Sequence, residues 1–177
     1  MDVRLAFNRD AAGYDRLRPT NAPELCRDVV SVSGVGMDSR ALEIGIGTGQ
    51  ASAPFLRTGC RVTAVELGDA LARFTREKFR DFPDLEVLCG AFETAALPDN
   101  SFDLAYSASA FHWTAPEPGL PKLQRLLKKA RVFAWCSNQP PPADEHFPIH
   151  PPLPEVSARR GPGVRGKQLL PGPQPQP

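Results

Sequence analysis

Residues 41–50 read ALEIGIGTGQ. An apolar run leads straight into a turn in which Gly45, Gly47 and Gly49 alternate, and the reading of the whole chain hangs on that junction. Glycine lets the backbone turn sharply and lets a ligand reach the main chain with no side chain between them. A helix placed after the turn aims its free N–H groups at the same spot. The stretch therefore predicts a strand, a ligand-binding turn and a helix, in that order.

Outward from this turn, short apolar runs alternate with segments of helical period, the pattern of a parallel sheet covered by helices on both faces. Strands are expected at 40–45, 61–66, 85–89, 102–107 and 131–136. Helices are expected at 49–57, at 68–82 with Leu71, Phe74, Lys78 and Phe79 at helical spacing, and at 120–128. Two more should precede the first strand, at 3–17 and 23–32, the second opening on Pro23. Twelve of the 20 prolines fall between Pro140 and Pro177, and such a composition cannot pack a core. One folded domain over 1–137, with its motifs in 41–128, followed by a disordered proline-rich tail over 138–177, is the expected organisation.

The balance of 21 basic and 20 acidic residues gives no electrostatic reason to expect nucleic acid or an anionic membrane as partner. The charged amino-terminal stretch lacks the apolar core of a signal peptide or a span, so a cytoplasmic protein is expected. Cys26, Cys60, Cys89 and Cys136 are too widely spaced for a C-x-x-C metal or redox motif, and His146 and His150 sit among prolines, so no metal is expected.

The turn could serve a dinucleotide, a nucleoside triphosphate or S-adenosylmethionine. A phosphate-binding P-loop needs Lys and then Ser or Thr after its last glycine, and Gln50 and Ala51 stand there. The dinucleotide fingerprint wants a small residue where Gln50 lies. Glu66, ending VTAVE, suits the ribose hydroxyls of either NAD or S-adenosylmethionine and does not discriminate. Glu43 does better: a carboxylate beside the turn disfavours a pyrophosphate and favours a sulfonium and an ammonium.

ALEIGIGTGQ, then VTAVEL, then CGAFETAALPDNSFDLAYSASAFHW, together resemble the class I S-adenosylmethionine-dependent methyltransferases, close to the small bacterial-type methyltransferase-domain proteins. The resemblance implies a three-layer, Rossmann-like α/β fold with a mostly parallel sheet of order 3-2-1-4-5. The cofactor would lie across the carboxyl ends of the strands. It places Glu43, Gly45, Gly47 and Gly49 around the methionine part, Glu66 on the ribose, Leu67 against the adenine, Ala91 and Phe92 around its edge, and Ser107 facing the methionine moiety. Many members carry Asp where this chain has Ala91. The opening FNRDAAGYDRLRP also resembles the family, whose members close such a segment over the cofactor; Tyr14 and Arg18 would then lie near the cofactor carboxylate.

Methyl transfer from a sulfonium is an in-line displacement that the protein accelerates mainly by alignment in a dry pocket. A protonated acceptor needs a base, and His112, with Tyr14 as a second candidate, is the best placed by motif. The acceptor is expected to be a small molecule. Family members follow the helix with a Pro-Gly-Gly turn and add an antiparallel pair of strands, whereas RLLKKARVFAW has no such turn and is followed by prolines. The last two strands are therefore expected to be missing. Strand five would be left as an edge open to self-association. Two expectations follow: an active methyltransferase, or a truncated or degenerate relative that binds the cofactor weakly or not at all and is inactive or partner-dependent. The change in composition also suggests a tail that arose by frameshift or alternative exon.

Overall fold

Five strands form one sheet in the computed structural model, which describes residues 3–136. They are β1 (Arg40–Ile44), β2 (Arg61–Glu66), β3 (Leu85–Cys89), β4 (Phe102–Ala108) and β5 (Leu127–Cys136). Every neighbouring pair is parallel, and the order is β3-β2-β1-β4-β5, as expected from the resemblance. Strand order reverses between β1 and β4, so their carboxyl ends open the crevice where sheets of this kind bind ligands.

The helices are α1 (Ala11–Leu17), α2 (Pro23–Ser33), α3 (Ser52–Leu56), α4 (Asp69–Lys78) and α5 (Pro116–Leu126). Alternation along β1 divides its side chains between two faces. Ala41 packs with Phe55, Leu56, Val62 and Tyr106 beneath α3, with α2 at the edge of the cluster. Leu42 and Ile44 pack on the other face with Phe102, Phe111 and with Leu123 and Leu126 of α5. A sheet buried on both faces reads as continuous apolar runs, which is why β1, β2 and β4 were legible.

Several boundaries differ from expectation for local reasons. The helix expected over 3–17 divides at Asp10 into a 3-10 segment (Val3–Arg9) and α1, because the Asp10 side chain caps α1 by accepting from the Gly13 N–H at 2.8 Å. The helix expected from Gly49 starts at Ser52, since Gly49 has φ +81 and belongs to the turn. Helix α4 stops at Lys78 rather than 82, and α5 runs from Pro116 to Leu126 rather than 120 to 128.

Strand β5 begins four residues before the expected Arg131, because α5 runs into it with no connecting turn. The register with β4 jumps between Phe102 and Leu104, and Ala130 at φ +58 absorbs the change of direction. Asp103, buried between those two pairs, draws Lys128 Nζ to 2.8 Å and an Arg131 guanidinium nitrogen to 3.1 Å. Burial alone would raise the Asp103 carboxyl; Lys128, the Arg40 N–H and Arg131 outweigh it and hold the group below its ordinary value. The boundary expected at 137 and the tail over 138–177 lie outside the described residues. Among the described residues the sheet is wholly parallel and β5 has a neighbour on one side only.

Candidate active site

A cavity of about 310 Å³ opens at the carboxyl ends of β1 to β4, roofed by the amino-terminal segment. Its floor is the glycine turn. Gly45 N–H donates to the Val65 carbonyl at 2.8 Å, so the turn starts tied to the end of β2. Glu66 then fixes its middle: one carboxylate oxygen accepts from Gly47 N–H at 2.8 Å and the other from Gly68 N–H at 2.9 Å. From the other side the Thr75 hydroxyl donates to the Gly47 carbonyl at 2.6 Å. Gly47 has φ +58, and a Cβ there would meet Tyr14 at 3.5 Å, so the glycine leaves the backbone bare toward the cavity.

Glu43 sits beside the turn, 1% exposed, and lines the cavity. One of its oxygens accepts from both the Ser52 hydroxyl at 2.6 Å and the Tyr106 hydroxyl at 2.8 Å. Burial is the largest influence and pushes the carboxyl from the ordinary 4.5 up to about 7; the two hydroxyls oppose it. Tyr106 is raised well above its usual value by its own burial and by Glu43. Glu66 is also raised by burial, against the N–H bonds from Gly68, Gly47 and Leu67.

The roof is pinned by side chains. Asn8 Oδ1 accepts from the N–H groups of Ala70 and Leu71, at 2.8 and 3.1 Å, and its Nδ2 donates to Asp69, capping α4 across the chain. Lys78 Nζ reaches Asp15 of α1 at 2.6 Å and the Thr48 carbonyl of the turn at 3.0 Å. Phe7 and Tyr14 meet edge to face at 5.6 Å, and the Arg18 guanidinium stands 5.6 Å from the Tyr14 ring centroid. Burial raises the Tyr14 hydroxyl, with Arg18 opposing and Glu66 adding to it.

Of the residues singled out from the sequence, Glu43, Gly45, Gly47, Glu66, Leu67, Ala91, Phe92, Tyr14 and His112 all line this one cavity. His112 is exposed at its mouth, with its ring 4.8 Å from that of Trp113. Two do not line it. Ser107 is fully buried inside β4, one residue short of the cavity, and its hydroxyl donates to the Ile44 carbonyl at 2.7 Å. Gly49 faces the helix layer instead: a Cβ there would fall 2.3 Å from a ring carbon of Phe79, so its role is close packing. No group of three or more His, Cys, Asp or Glu able to hold a metal occurs among the described residues.

Residues 42–134 match the methyltransferase-domain family, a span of more than half of the 177 residues. The chain belongs to the class I S-adenosylmethionine-dependent methyltransferases. An uncharacterized methyltransferase of Mycobacterium tuberculosis is 28% identical over 172 residues, 97% of this chain and 67% of the relative. The malonyl-[acyl-carrier protein] O-methyltransferase of Pectobacterium atrosepticum is 31% identical over 139 residues, 76% of this chain and 52% of the enzyme. A SAM-dependent methyltransferase from Aquifex aeolicus shares the fold, with a TM-score of 0.61 at 23% identity and 71% of each chain covered. The chain thus spans about two thirds of the mycobacterial relative and about half of the Pectobacterium enzyme. No helix among the described residues of this methyltransferase is long and apolar enough to cross a membrane.

Sequence reasoning missed the residues that hold the others in place. Thr75, Ser52 and Tyr106 act on the turn and on Glu43 through hydroxyls, yet in the sequence they read as ordinary members of a helix or strand. Lys78 was visible only as part of a helical spacing. The capping role of Asn8 carried no local signal, because its partners lie 61 to 63 residues away.

Proposed function

We propose that this methyltransferase binds S-adenosylmethionine in the cavity at the carboxyl ends of β1 to β4 and passes its methyl group to a small-molecule acceptor. The observation that carries the reading is the pairing of Glu43 and Glu66 on either side of a bare glycine turn, in one cavity. These residues fit the cofactor: Gly47 leaves room for close approach, and the buried carboxyl of Glu43, when ionised, favours a cation over a pyrophosphate. When bound, the cofactor supplies a methyl group on a positively charged sulfur.

In this reading Glu43 and the turn from Gly45 to Gly47 hold the methionine part, and Glu66 and Leu67 face the ribose and adenine. Ala91 and Phe92 border the base. Tyr14 and Arg18 close the roof and keep water out, which strengthens every electrostatic interaction inside. His112, at the mouth, is placed to take a proton from an acceptor that arrives protonated.

A second reading is favoured by β5, which has a neighbour on one side only among the described residues and whose Trp135 is 57% exposed. Such an edge offers unpaired backbone groups to another copy or a partner, and in this reading the chain binds the cofactor weakly or not at all and depends on that partner for activity. Calorimetric titration with S-adenosylmethionine and S-adenosylhomocysteine, with NADH as control, tests both. Micromolar binding of the first two alone supports the first reading and justifies an acceptor screen. No binding by a folded monomer, restored on dimerisation or by a partner, supports the second; preferential binding of NADH refutes both.

A further inference from the structure

Lys122 stands outside everything assigned so far. It belongs to α5 and is 6% exposed, an uncommon place for an ammonium. Its Nζ donates to the carbonyls of Phe92 at 2.6 Å, of Glu93 at 3.3 Å, and of Ala95. An ammonium has three N–H donors, and here each meets a carbonyl of the same short loop. The ring of Phe92 lies 5.2 Å away, face toward the charge. No carboxylate among the described residues pairs with it. Burying an ammonium is unfavourable unless its protons are satisfied, so the loop and the lysine fix each other.

That loop, residues 91–95, follows β3 and borders the cavity through Ala91, Phe92 and Glu93. Its peptide bonds are trans, so each N–H points opposite to the carbonyl of the same unit. With the Phe92 carbonyl aimed at Lys122, the N–H of Glu93 points away from α5. Glu93 is held from a second side, since its carboxylate accepts from the Ala115 N–H at 2.9 Å and lies 3.6 Å from Arg4. Ala91 offers no polar side chain, so recognition of a base at this wall falls to the main chain.

The N–H groups of Thr94 and Ala95 donate within the loop to the Ala91 carbonyl, at 3.2 and 3.0 Å. We propose that Lys122 is a positioning residue for the adenine of the cofactor, holding loop 91–95 so that the main-chain N–H of Glu93 faces the base. The inference rests on the cofactor reading above. Lys122 touches neither cofactor nor acceptor. It acts by taking up the three carbonyls that would otherwise be free to turn into the cavity.

The test compares S-adenosylhomocysteine with S-inosylhomocysteine, whose base carries a ring N–H where adenine has an acceptor and therefore opposes a main-chain donor. The wild-type protein should prefer the adenosyl compound by about tenfold or more, on the scale of one hydrogen bond exchanged for an unsatisfied donor. In Lys122→Met that preference should shrink toward one, while circular dichroism shows the fold retained. Should Lys122→Met not fold, Lys122→Gln, whose amide keeps two of the three donors, is read the same way and should give an intermediate ratio. A variant that loses thermal stability but keeps the wild-type ratio overturns the proposal and leaves the lysine a packing element. A wild-type protein that binds neither compound overturns the cofactor reading, and this inference with it.

Discussion

The buried carboxyl of Glu43 makes a quantitative claim about stability. In the folded protein it titrates at about 7, against an ordinary 4.5, because burial disfavours its charge. Between those two values the folded state holds a proton that the unfolded state has released, so stability falls as pH rises through that window. At about 1.4 kcal/mol per pH unit the loss is about 3 kcal/mol between pH 4.5 and 7. Glu43→Gln removes the charge while its amide oxygen still accepts from Ser52 and Tyr106. The variant should match wild type near pH 5 and exceed it by about 2 kcal/mol at pH 8, after allowance for one amide donor left to find a partner. For a domain of this size that is roughly 6–10 °C in Tm, measurable by thermal denaturation across pH. Taking the difference between variant and wild type cancels the other carboxyls. The variant should also lose cofactor affinity, since the charge that costs stability is the one that faces a cation. A Tm difference that stays flat from pH 5 to 8 would refute the account of Glu43.

Three further outcomes follow from particular contacts. Gly49→Ala places a Cβ against the Phe79 ring at a backbone φ of +81, and the strain and overpacking should cost about 2–4 kcal/mol in chemical denaturation; an unchanged midpoint would show that Gly49 is not a packing glycine. Ala130→Gly relieves a non-glycine residue at φ +58, and after the entropy cost of glycine it should stabilise by about 0.5–1 kcal/mol, whereas a loss of stability would mean that the alanine is unstrained. Asp103→Asn leaves Lys128 and Arg131 without their carboxylate and should cost about 2 kcal/mol at pH 7. Because the Asp103 carboxyl titrates below its ordinary value, that gap should close as pH falls through the folded value, in urea titrations at a series of pH values.

Strands β2 and β3 were legible because both are short, largely apolar runs bounded by turns, and their observed limits, Arg61–Glu66 and Leu85–Cys89, are the expected ones. The glycine turn was legible because Gly45, Gly47 and Gly49 all take positive φ, and Glu66 because it ends an apolar strand, where its carboxylate ties down Gly47 and Gly68. Ser107 misled because a fully buried strand carries no period that marks where it ends, and one residue decides whether a hydroxyl faces the cavity or the Ile44 carbonyl. Strand β5 misled because its first residues, Leu127 to Ala130, carry a helix-like composition and are drawn into the sheet through Asp103, a tertiary effect that overrides local preference. Lys122 carries no local signal in the sequence, and only the position of loop 91–95 accounts for its burial.

The cap that Asn8 places on α4 also sets an order of events. During synthesis Asn8 leaves the ribosome long before Ala70 and Leu71, its partners 62 and 63 residues on. Contacts so distant along the chain close a large loop and form late in folding. The segment that carries Asn8 must therefore wait, unstructured or otherwise engaged, until α4 exists to receive it. The binding chamber thus gains its lid after its walls, so a nascent or partly refolded chain presents an open crevice to whatever it meets.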